Sequence, residues 1–188
     1  MIDGDTPISR LSPREFELAV KGIVDRAGAG LASFETTHLA RVEGADGEYV
    51  IDVLATFEAL DVKFQILIEC KHERRPVERQ DVQVLKAKMD STGSQKGLLF
   101  SIAGFQSGAQ EYASAHGIAL AQLVDGRTLW HTRAAGQSSP PPPWINLPKY
   151  AAWWWRGSNR ALLAPDYGEY TRELLGLTRN ALRCPRLS

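Results

Sequence analysis

Long apolar runs are missing from this sequence, cysteine is scarce, and the net charge is zero. Nothing approaches the ~20 consecutive apolar residues that a membrane-spanning helix needs, so no membrane partner is expected. Only two cysteines occur, Cys70 and Cys184, far apart and in unlike contexts. That suggests a reducing compartment more than a disulfide framework. The opening MIDGDTPISR is acidic and polar, so it does not read as a secretory signal, and the expected location is cytoplasmic. No Walker loop or dinucleotide glycine fingerprint is present. Ser101 and Ser107 have no His/Asp arrangement nearby that would suit nucleophilic catalysis.

What is present is ordinary globular material. With 188 residues, 44% hydrophobic and 23% charged, the chain is long enough for one domain without a staple. The zero net charge hides an asymmetry. Residues 1–126 hold 13 basic and 19 acidic side chains, and residues 127–188 hold 9 and 3. An acidic body with a basic tail has two readings: the tail binds something anionic, or it packs on the body.

The clearest punctuation is QSSPPPP at 137–143, a Ser/Pro run that favours extended, semi-rigid chain. It divides the sequence into a body at 1–136, a linker at 137–143 and a Trp/Arg-rich appendage at 144–188. In the body, Ser12, Pro13 and Glu15 form a helix-start signal, with the apolar stripe Phe16, Val20, Ile23, Val24, Ala27 behind it. Glu17 lies about 20° from Val24 on that helix, at the border of the buried stripe. Three strand-like segments follow, at 32–42, 49–57 and 62–70, with short joins that imply an antiparallel meander. Helical spacing returns at 77–89, an apolar strand at 97–103, a helix at 105–116 and a strand at 118–124. The order α-β-β-β-α-β-α-β predicts an α/β fold with a central mixed sheet flanked by helices. In the appendage, Trp144, Trp153, Trp154 and Trp155 interleave with Lys149, Arg156 and Arg160, which suits either packing or stacking on exposed bases. Residues 169–183 read as an amphipathic docking helix.

Two carboxylates are out of place. Asp52 interrupts the apolar run YVIDVLA and Glu69 ends QILIEC, and strand interiors disfavour such charges unless they have partners. Lys71 shares a sheet face with Glu69 by the period of two. If the two strands pair, Asp52, Glu69 and Lys71 converge at one edge, a donor set suited to a hard cation such as Mg²⁺ and a neighbouring water. Glu17 offers a further acid. The bland alternative is a solvated Glu-x-Lys strand end. His72 faces away from Lys71, and His38, His116 and His131 show no ligand spacing. Gln80 and Gln83 read as surface.

The segments PREFELAV, EYVIDV, ILIECK and GLLFSIAGFQSGAQEYASAHGIALAQLVDG, in that order, resemble the PD-(D/E)xK restriction-endonuclease-like superfamily, and within it the Mrr-type catalytic domain. The resemblance covers about residues 12–130. It implies a restriction-endonuclease-like αβββαβαβ core, here followed by a C-terminal helical appendage, and a Mg²⁺- or Mn²⁺-dependent DNA endonuclease in restriction or DNA processing. By it, Asp52, Glu69 and the Cys70 carbonyl hold the metal, Lys71 positions the water and Glu17 supports. Arg74, Arg75 and Arg79, around Pro76, suit DNA backbone phosphates. A homodimer fits the need to cut both strands, and a separate target-recognition partner fits the little room this chain has for a recognition domain. No proline precedes Asp52, and the glycines Gly44 and Gly47 stand further upstream than the family pattern has them. Two rival readings are a non-catalytic nucleic-acid-binding or assembly module on the same fold, and a nuclease directed at junctions or RNA.

Overall fold

The computed structural model describes residues 8–28, 31, 33–59, 61–125, 150–156 and 159–163. A turn of 3-10 helix at Ile8–Arg10 leads into α1 (Pro13–Gly28), β1 (Glu35–Gly44), β2 (Gly47–Ala59) and β3 (Val62–Lys71). Then come α2 (Arg79–Thr92), β4 (Lys96–Ser101), α3 (Ser107–Ala115), β5 (Ala119–Asp125), β6 (Tyr150–Arg156) and β7 (Asn159–Leu163). The expected order holds through β5, with the ends of elements moved by a few residues.

α1 starts where its capping chemistry says it should. The Glu15 carboxylate accepts from the Ser12 amide at 2.8 Å and from the Ser12 hydroxyl at 2.7 Å, and the Ser12 Oγ accepts from the Glu15 amide at 3.3 Å. These bonds satisfy amide donors that the helix start leaves without intrahelical partners.

The strands form one sheet in the order β1-β2-β3-β4-β5-β6-β7. β1, β2 and β3 pair antiparallel, β3, β4 and β5 parallel, and β5, β6 and β7 antiparallel again. The parallel centre is covered on both sides, so its sequence shows no polar alternation. One apolar layer joins Phe16, Val20 and Val24 of α1 to Val53, Ile66, Ile68, Leu98 and Phe100. The opposite layer joins Val82, Leu85 and Met89 of α2 and Ala109 and Ala113 of α3 to Ile51, Leu67, Leu99 and Leu120. Each fully buried Leu, Ile, Val or Phe contributes roughly 1.5–3 kcal/mol. α2 lies close on β4 because Gly97 has no side chain: a Cβ there would come within 2.5 Å of the Met89 sulfur.

The described part of the expected appendage departs from its helical reading. β6 runs antiparallel to β5, from Leu120↔Trp155 to Asp125↔Tyr150, and β7 adds a further strand. Tyr150, Ala152 and Trp154 belong to the α1 layer, whereas Ala151 and Trp153 pack with Val124 on the other side. The Trp run hides its strand because both faces are apolar, which leaves no alternation of polarity to read. The Ser/Pro run at 137–143 and the helix expected at 169–183 lie outside the described residues.

Candidate active site

The site is set by an interruption of the sheet. In the β1/β2 ladder His38 pairs with Val53 and Ala40 with Ile51, but the rung between them, Leu39 and Asp52, is not paired. Residues two apart in a strand normally share a face. Here Ile51 lies in the α2 layer and Val53 in the α1 layer, so the alternation reverses at Asp52. Leu39 opposite carries a positive φ of 52°, and His38 and Ala40 likewise face opposite ways. Such φ values cost energy for a side-chain-bearing residue and recur where function needs a special geometry.

The β2/β3 ladder ends at the same level. It runs from Ala59↔Val62 to Val53↔Ile68 and stops, although β3 continues to Lys71 in parallel pairing with β4. Asp52 fills the gap: its Oδ2 accepts the Cys70 amide at 2.7 Å, where a strand carbonyl would otherwise serve. The carboxylate is thereby fixed between the parting strands.

Glu69 and Lys71 follow Leu67 on the α2 side of β3. Glu69 Oε1 accepts from Lys88 Nζ of α2 at 2.7 Å, and Lys71 Nζ lies 3.2 Å from Asp81 Oδ1 of the same helix. Asp81 Oδ2 also accepts the Glu78 amide at 3.0 Å, at the start of α2. On the α1 side, Glu17 Oε2 meets His38 Nε2 of β1 at 2.7 Å. Cys70 turns its side chain toward the α1 layer.

Electrostatics tie these groups into one cluster. Burial pushes the Asp52 carboxyl above its ordinary range; the Cys70 amide pulls it back, Glu17 raises it further, and Lys88 and Lys71 lower it. Burial likewise raises Glu69, against the Lys88 hydrogen bond, with the Asp52 charge adding to the rise. The Cys70 thiol is pushed up by burial and by the charges of Asp52, Glu17 and Glu69. A carboxyl held above its ordinary value is an anion short of compensating positive charge.

The donor set is oxygen-rich, which suits a hard divalent cation. Asp52 has Oδ1, and Glu69 Oε2, without a hydrogen-bond partner among the described residues. No group of three His, Cys, Asp or Glu side chains that could hold an ion is found among the described residues. Mg²⁺ needs no such cage, since it keeps several waters and takes one or two carboxylates.

The structure thus brings Asp52, Glu69 and Lys71 to one place, with Glu17 acting on Asp52 from the α1 side. The arginines divide. Arg74 and Arg79 are exposed, and the Arg79 guanidinium lies 5.2 Å from the Tyr112 ring centre. Arg75 is exposed as well, but its guanidinium is engaged by acids, with Glu73 at 2.6 Å, Glu78 at 3.1 Å and Asp81 at 3.9 Å. Gln80 and Gln83 are exposed. Three residues that sequence reasoning passed over sit at the site: His38, Asp81 and Lys88. For the last two a signal existed. They are seven apart, two helical turns, and flank the buried stripe of α2. For His38 the face reversal at Leu39 removed the signal.

Two solved structures are similar to parts of the chain. A protein of unknown function, AF1548, aligns at 25% identity and TM-score 0.46 over 57% of this chain and 55% of its own. The DNA modification-dependent restriction endonuclease AspBHI aligns at 15% identity and TM-score 0.34 over 58% of this chain and 33% of its own. The chain therefore spans about half of the first and a third of the second. None of the curated proteins matches. The family model for restriction endonucleases of the Mrr catalytic type matches residues 8–132, two thirds of the sequence and the whole span from α1 through β5. The chain belongs to this restriction-endonuclease family.

Proposed function

We propose that this chain is a divalent-metal-dependent endonuclease that hydrolyses DNA phosphodiesters in restriction or DNA processing. The observation that carries the proposal is the Asp52 carboxylate held between the parting strands β2 and β3, beside Glu69 and Lys71. A folding-only explanation of that arrangement is poor. Two partly buried carboxylates raised by burial, Asp52 also by Glu17 and Glu69 also by Asp52, cost stability, and such costs are concentrated at functional sites.

Asp52, Glu69 and the Cys70 carbonyl would hold Mg²⁺ or Mn²⁺. When bound there, the ion supplies Lewis acidity toward the phosphate and makes water more acidic. Lys71 directs its ammonium at the attacking water, orients it and stabilises the charge that develops on the phosphoryl oxygens. The new P–O bond forms from that water, which gives up a proton to solvent, while the opposite P–O bond breaks and the leaving oxygen takes a proton from solvent. Glu17, fixed by His38, supports the site from the α1 side by holding negative charge next to Asp52. Arg74 and Arg79 would contact backbone phosphates, which gives affinity without reading sequence. Arg75 takes that role only by leaving its three acidic partners. A homodimer would place two such sites on a duplex, and a separate partner would supply target recognition.

Plasmid nicking tests the reading. Cleavage is expected with Mg²⁺ or Mn²⁺, on methylated or unmethylated plasmid, and is expected to vanish with chelator and in Asp52→Ala and Lys71→Ala. DNA binding that persists without any cleavage, on duplex, junction and RNA substrates alike, would favour a non-catalytic binding module instead.

A further inference from the structure

The α2 helix runs back along β3 and meets it with opposite charges in two places. Asp81 takes Lys71, and two turns later Lys88 takes Glu69. The second contact is the unusual one. Lys86, two residues away, pairs with Asp90, which is 65% exposed, an ordinary solvated i,i+4 pair. Lys88 and Glu69 are only 20% and 14% exposed, and the ammonium also acts on Asp52. Its neighbours Leu85 and Met89 are buried and fix that stretch of the helix. Lys88 is therefore an internal cation lodged against one of the two carboxylates that the functional reading assigns to the metal.

Two cations cannot share that carboxylate without cost. If a divalent ion takes Glu69, even at the free Oε2, the carboxylate's charge is shared with the ion and holds the Lys88 ammonium less well, and an ammonium still largely shielded from water there needs another anion. The anion that arrives at this site is the phosphodiester. We propose that Lys88 is a phosphate-binding residue of the active site, held by Glu69 in the metal-free protein and transferred to a non-bridging oxygen of the scissile phosphate in the loaded one. The inference rests on the proposed nuclease function and adds a residue and a sequence of contacts to it. It predicts opposite effects on two measurable quantities. Lys88 competes with the metal and assists the phosphate, so removing its charge should strengthen metal binding and weaken cleavage.

The test uses the full chain. Mn²⁺ binding to DNA-free protein is titrated calorimetrically for wild type, Lys88→Met and Lys88→Arg, and cleavage is timed at saturating DNA and metal. Lys88→Met keeps the apolar stem, and Lys88→Gln serves as a second uncharged variant should it fold poorly by circular dichroism. The uncharged variants are expected to bind Mn²⁺ about tenfold more tightly, since one positive charge has left the immediate surroundings of the ion. They are expected to cleave at least about tenfold more slowly, as loss of a charged transition-state contact does. Lys88→Arg should stay near wild type in both. Unchanged or weaker Mn²⁺ binding in both uncharged variants would overturn the proposal, and so would an unchanged cleavage rate. A wild type that binds no Mn²⁺ would instead strike at the metal-dependent function itself, and this inference would go with it.

Discussion

Replacing Asp52 by Asn removes one negative charge and keeps an oxygen that can accept the Cys70 amide. The wild-type carboxyl is raised by burial first, and then by Glu17, against the opposing help of that amide and of Lys88 and Lys71. Its folded pKa is above its unfolded one. The stability it contributes is therefore fully present below the unfolded value and is lost as pH rises through the folded value, so at neutral pH the ionised group is a net burden. Relief of a functional-site strain commonly stabilises by about 0.5–2 kcal/mol, and in a chain of this length each kcal/mol moves Tm by roughly 2–4 °C. Without metal, Asp52→Asn should thus melt a few degrees above wild type. Metal reverses the order. Saturation at about 100 times Kd stabilises wild type by about 2.7 kcal/mol, and the variant, lacking one of its carboxylates, should gain little. Melting curves at neutral pH, with chelator and with saturating Mg²⁺, read both effects. A variant that melts below wild type in chelator, or that gains as much from Mg²⁺, would refute the reasoning that Asp52 is a costly metal-binding anion.

Other consequences follow from the same geometry. Cleavage should fall off on the acid side above the ordinary carboxylate range, because Asp52 and Glu69 must both be ionised to hold metal and both are raised; a pH–rate profile whose acid limb lies at or below ordinary carboxylate values would contradict this. Asp81→Ala should cost about 1 kcal/mol through the lost bond to the Glu78 amide at the start of α2, read by urea unfolding. Because Asp81 is lowered in the folded state, its contribution is present above its unfolded pKa and is lost as pH falls through the folded one, so the variant should converge with wild type in acid. Arg74→Ala should weaken DNA binding evenly across sequences and reduce the salt slope by about one unit, whereas Arg75→Ala should mainly unfasten the acids Glu73, Glu78 and Asp81, with little change in slope.

Much of this site was legible in the sequence because it depends on local rules. The Ser12/Glu15 cap placed α1, and the period of two put Glu69 and Lys71 on one side of β3. The anomaly of charge within apolar strands marked Asp52. The rest depends on features that carry no local pattern. The reversal of faces at Leu39 and Asp52 requires two strands to twist at one rung, and a one-dimensional reading that assumes regular alternation passes over it. That reversal is what turns His38 toward Glu17, so its role was hidden for the same reason. Asp81 and Lys88 look like surface charges until α2 is laid along β3. β6 carries no polar alternation to read, since Trp154 packs into one layer and Trp153 against the other side of the sheet.

The proposed function has β2 and β3 part to seat a divalent ion between Asp52 and Glu69. A crystal grown or soaked with Mn²⁺ and measured for anomalous scattering tests it directly. An anomalous peak is expected at coordination distance from an Asp52 carboxylate oxygen and a Glu69 carboxylate oxygen. A peak elsewhere, or no peak at saturating Mn²⁺, would contradict it.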